Sequence, residues 1–109
     1  MLYTNHIQVS HTEIGNAAGF RELCHVTNSY LMQYNLFGSD QTLIRMFEYV
    51  ADNIESAYTP NEKYMRTITV ILAKCNEALA VERFMFNPQL MRCKQILESI
   101  IAGPNIKTN

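Results

Sequence analysis

The chain has 109 residues, 48% of them hydrophobic and only 17% charged, with a formal net charge of −1. A chain of this length fits one domain and buries about two-thirds of its unfolded surface without help from metals or disulfides. The near-zero charge excludes the long-range pull of a basic protein onto DNA or an anionic membrane, and no run approaches the ~20 apolar residues of a membrane span.

Residues 1–10 are mixed and only partly alternating (Leu2, Tyr3, Ile7, Val9), an N-terminal arm without the basic-then-apolar layout of a signal peptide. Ser10-His11-Thr12-Glu13 has the spacing of a capping box. Beyond it Ile14, Ala17, Phe20, Leu23, Cys24, Thr27, Tyr30, Leu31 and Tyr34 recur at three- and four-residue steps, one face of a helix expected over residues 12–36. Gly15 and Gly19 interrupt its start, so a second helix is expected to cross closely there, or the helix begins nearer Phe20.

Gly38 suits the left-handed position after a helix, and Ser39 and Asp40 both suit an N-cap. The second helix, residues 40–57, buries Leu43, Ile44, Phe47, Val50, Ala51, Ile54 and Tyr58 and turns Arg45, Glu48, Asp52 and Glu55 outward. So short a connection makes the first two helices antiparallel neighbours.

Thr59-Pro60-Asn61-Glu62 places an N-cap threonine, a first-turn proline and a third-position glutamate in order, opening a third helix expected over residues 60–86. Its stripe is Met65, Ile68, Ile71, Leu72, Cys75, Leu79 and Phe86. Val70, Val81 and Phe84 fall off that stripe, so the helix reads as apolar over a wide arc. Asn87-Pro88 forces a break and caps a fourth helix over residues 88–102, with Leu90, Cys93, Ile96, Leu97, Ile100 and Ile101 inward. Gly103-Pro104 is expected to stop it, leaving residues 104–109 as a polar tail. The fold class is therefore all-α: a single domain over residues 1–109, a small up-and-down bundle of about four helices, completed by oligomerisation if its apolar faces need more cover.

Chemistry-bearing residues are sparse. The three cysteines are far apart and lie on apolar faces, which reads as buried free thiols and an intracellular, cytoplasmic chain. No HxxxH, CxxC or ExxH spacing points to a metal, and four scattered glycines form no phosphate loop, so no metal, cofactor or catalytic residue is assigned. Arg83, Arg92 and Lys94 flank the Asn87-Pro88 junction, where free helix N–H groups favour an anion such as a nucleotide phosphate. The same junction gives a helix-turn-helix alternative, which Glu82, Glu98 and the acidic balance disfavour.

Aromatic and methionine side chains off the main stripes (Met32, Tyr49, Tyr64, Phe84 and Met85) are the types enriched where proteins meet. The leading expectation is a non-enzymatic interaction module, a regulator, inhibitor or chaperone, that binds another protein or itself through that set. A binder of small anionic ligands, of the kind a phage uses to inhibit or sequester, is the second reading. Ten asparagines alongside abundant Tyr, Met and Ile fit the AT-rich genome of such a source.

Overall fold

The computed structural model describes residues 17–60 and 62–106, and the architecture is all-α. Helix α1 spans Ala17–Phe37, α2 Asp40–Ala57, α3 Glu62–Leu79 and α4 Pro88–Ile106, with a 3₁₀ turn, η1, at Glu82–Phe84. The N-terminal arm, the Ser10–Glu13 capping box, Ile14, Gly15 and residues 107–109 of the polar tail lie outside the described residues, as does Asn61, on which the Thr59 cap depends.

The first two helices follow the sequence reading closely. On α1 the stripe from Phe20 to Tyr34 is buried apart from half-buried Tyr30, and Thr27 turns its hydroxyl back to donate to the Leu23 carbonyl at 2.7 Å. Gly38 stands at φ +69°, and its N–H donates to the Tyr34 carbonyl at 2.7 Å, ending α1. Ser39 is the N-cap of α2, its hydroxyl accepting from the Thr42 N–H at 3.4 Å. Gly19 is exposed, and a β-carbon there would sit 3.9 Å from the Ala57 Cα, an ordinary contact distance, so the start of α1 lies beside the end of α2 but not in the close crossing expected of a glycine. With Gly38 and Ser39 joining the opposite ends, the two helices are antiparallel.

Helix α3 is shorter than expected. It ends at Leu79, and Val81 takes an extended conformation (φ −84°, ψ 131°) before η1. The physical reason lies three residues on, at Phe84. A continuous helix would carry Val81 and Phe84 away from the Ile68–Ile71–Cys75 face, whereas the break swings Phe84 inward to 1% exposure. The wide apolar arc expected of α3 is thereby divided between a helix with one buried face and a separate turn. Asn87 then caps α4, its side-chain carbonyl accepting from the Leu90 N–H at 3.0 Å. Gly103 and Pro104 do not stop α4, which continues to Ile106. A proline so near a helix end removes only the bond its N–H would have made to Ile100.

One hydrophobic cluster joins all four helices and η1. α2 packs on α1 and α4, and α3 packs on α4 and η1, so α4 lies between α2 and α3. Where α3 begins, the Tyr64 ring stacks on Phe20 of α1, centroids 4.1 Å apart and planes 7° from parallel. Cys75 donates its thiol hydrogen to the Leu90 carbonyl at 3.3 Å and sits against Cys93, closing the α3–α4 contact. No helix is long and apolar enough to cross a membrane among the described residues.

Candidate interaction surface

Two short segments meet at one end of the bundle: the α1–α2 turn and the η1 turn. Asp40 opens α2 directly after the capping Ser39, and Arg83 lies in the middle of η1. Arg83 Nε donates to Asp40 Oδ2 at 2.8 Å. The Arg83 guanidinium carbon also sits 5.0 Å from the centroid of the Phe84 ring, over its face. Its proton is held more tightly than usual, first through the Asp40 hydrogen bond and also through the Tyr34 hydroxyl, which stands in reach. One arginine thus ties η1 to the end of α1 and the start of α2. Such a pair stands half in water, where solvent screens it, and adds little to stability; it joins the two turns.

Exposed apolar side chains lie close to that pair along the chain. Leu36 and Phe37 precede the turn at 68% and 78% exposure, and Met85 and Phe86 follow η1 at 46% and 82%. Met32 lies one helical turn before Leu36 on α1, and Met91 lies in the first turns of α4; both are about half exposed. Exposure here follows from the local folding. The α1 stripe ends on Tyr34, so Leu36 falls on the outer face. The Val81 break and the Pro88 start leave residues 85 and 86 in a turn that buries only Phe84. Chain geometry keeps the four residues Leu36, Phe37, Met85 and Phe86 within about 15 Å of the Asp40–Arg83 contact, given a reach of about 3.5 Å per residue.

The expected contact set is partly redrawn. Met32 and Met85 are exposed. Tyr49 is half-buried, its ring 6.3 Å from that of Tyr30 and its phenol pKa raised, chiefly by burial and then by Glu22 and Tyr30. Tyr64 and Phe84 are core residues, at 0% and 1% exposure, and are unable to contribute to an outer surface. Tyr64 is the larger miss: it stands four residues before Ile68 and seven before Ile71 on the buried face, where its ring stacks on Phe20 of α1, and the stripe drawn through Met65 passed it over. Leu36, Phe37 and Phe86 take their place. The signal that marks them is positional, since Leu36 and Phe37 are the large apolar residues that end α1 before Gly38, and Phe86 is the one just before the Asn87 cap of α4.

The cations of the junction do not converge. Arg83 pairs with Asp40, Arg92 with Asp52 on α2 at 2.9 Å, and Lys94 with Glu98 one turn along α4 at 3.8 Å. An anion entering there would have to displace three separate carboxylates. The connection between α3 and α4 is residues 80–87 with a 3₁₀ turn of its own, longer than the 3–4-residue turn of a helix-turn-helix.

Cys24, Cys75 and Cys93 are all buried and form no disulfide. The Cys93 thiol is pushed strongly up by its hydrogen bond with Cys75 and by burial, the opposite of an activated nucleophile. Among the described residues no group of three or more His, Cys, Asp or Glu side chains converges on a common point. No family model, curated protein or solved structure matches this chain.

Proposed function

We propose that this chain is a non-catalytic helical interaction module whose contact surface is the apolar end formed by Leu36, Phe37, Met85 and Phe86 around the Asp40–Arg83 pair. The observation that carries the reading is the exposure of two phenylalanines, Phe37 at 78% and Phe86 at 82%, on segments tied together by that ion pair. A monomer exposes single apolar side chains freely, but aromatics gathered with Leu and Met mark a surface meant to be covered. The chemistry fits an interface core: two large rings supply area at low entropic cost, and the methionines adapt to the partner's shape. The half-exposed arginine supplies orientation.

The test is affinity capture from the cells that produce the protein. Wild type and a variant carrying Phe37→Glu with Phe86→Glu are compared at equal loading. The reading expects a protein, or a second copy of the chain, retained by wild type and lost with the variant. Equal retention by both would overturn it.

A further inference from the structure

We propose that Cys75 and Cys93 are a latent disulfide: a small-molecule disulfide oxidises the pair, bonding α3 to α4 and closing the segment that carries η1 into a covalent loop. The inference is independent of the contact surface and concerns the seam behind it.

Placement is the first argument. The two thiols come from different helices, are free, and meet fully buried in the core. Cys75 donates its hydrogen to the Leu90 carbonyl at 3.3 Å, and Leu90 lies one helical turn before Cys93 on α4. Cys93 is itself hydrogen-bonded to Cys75, so the two sulfurs stand in contact. Cys24 lies on α1, which packs chiefly on α2. The fold therefore selects one pairing out of three.

The reaction is two thiol–disulfide exchanges. One protein thiol, as thiolate, attacks a sulfur of the small disulfide, releasing one small thiol and leaving a mixed disulfide. The second protein thiolate attacks the protein sulfur of that bond and releases the other small thiol. The pair gives up two electrons and two protons, and the small disulfide takes them and leaves as two thiols. Both sulfurs are buried and Cys93 holds its proton tightly, so the closed seam is inert. Exchange takes place when α3 and α4 part locally, and reclosing brings the second thiol to the first. Residues 76–92 hold the Val81 break, Arg83 and Phe84. Bonding the ends of that segment removes conformations from its opened state, so oxidation holds the η1 turn shut.

The reduced full chain, incubated with excess oxidised glutathione in native buffer and in urea below the unfolding midpoint, tests the proposal. Remaining thiols are then alkylated, and the linkages are mapped by mass spectrometry. The expected product has lost two hydrogens, carries the Cys75–Cys93 bond alone and is alkylated at Cys24. Sub-denaturing urea speeds its formation, whereas full denaturation mixes in linkages to Cys24. The oxidised chain should keep its helical circular dichroism, melt higher than the reduced chain and exchange the amides of residues 80–87 more slowly. Cys75→Ala and Cys93→Ala abolish the product, and Cys24→Ala leaves it unchanged; the wild-type linkage map stands even if one of these variants fails to fold. Native oxidation that joins Cys24, stops at mixed disulfides or leaves every thiol reduced in sub-denaturing urea overturns the proposal. So does an oxidised chain that melts lower than the reduced one.

Discussion

Phe84 and Phe86 stand two positions apart, on either side of a single turn, and their environments are opposite: 1% against 82% exposure. Truncating Phe84 leaves a cavity where α3, η1 and α4 meet, so Phe84→Ala is expected to cost about 3–5 kcal/mol in denaturant unfolding. Phe86→Ala removes exposed surface only and is expected to change stability by less than about 0.5 kcal/mol. Reversed magnitudes would mean that the chain breaks elsewhere than at Val81. The thiols supply a second residue-scale prediction. Cys93 keeps its proton in the fold far above the ordinary thiol value of 9.0 because of Cys75 and burial. Its contribution to stability is therefore full below pH about 9. Above that, the unfolded chain alone loses the proton and stability declines by about 1.4 kcal/mol per pH unit. Tyr49, also raised, adds to the decline from about pH 10. Urea midpoints from pH 7 to 11 should fall from pH 9 onward in wild type, with the onset moved to about pH 10 in Cys93→Ala; a flat profile in wild type would contradict the buried pair.

Residue identity was readable wherever periodicity alone decides burial. The α1 stripe and the outward Arg45, Glu48, Asp52 and Glu55 of α2 fall where their spacing puts them. Tyr64 was readable too, four residues before Ile68 and seven before Ile71, but a stripe begun at Met65 passed it over. Phe84 was not readable, since a helix drawn without a break turns it outward.

At the scale of elements, the terminal signals carry most of the topology. Gly38 is held at φ +69°, a conformation that costs a side-chain-bearing residue about 1–2 kcal/mol. Gly38→Ala should therefore lower stability by about 1 kcal/mol even though open space surrounds the position. Asn87→Ala removes the acceptor for the Leu90 N–H and should cost about 1 kcal/mol as well. Both are checked by thermal unfolding, and a neutral Gly38→Ala would contradict the left-handed turn that aims α2 back along α1. The Gly38–Ser39 and Asn87–Pro88 boundaries were legible because glycine and proline act through their own backbones. The end of α3 was not: Val81 is no strong breaker, and the break there is favoured by what it lets Phe84 bury. The Gly103-Pro104 signal pointed the other way, and the helix runs past it to Ile106.

Across the whole molecule, α2 and α4 form the middle of the bundle, with α1 and α3 outside them. Helix count and class were open to the sequence, because four amphipathic segments with short connections have few other ways to bury their stripes. The neighbour order and the pairing of the two turns were not, since the first depends on which stripes pack together across the core and the second on the Arg83–Asp40 contact between residues 43 positions apart. Leu36, Phe37, Met85 and Phe86 flank that contact, and the functional reading stands on them. Site-specific photocrosslinking tests it most directly. A benzoylphenylalanine replacing Phe86, and in a parallel chain replacing Arg66 on the outer side of α3, is irradiated in the cells that make the protein. The account predicts a discrete adduct from position 86, to a second copy or to another protein, and none from position 66. No adduct from position 86, or the same adducts from both, would contradict it.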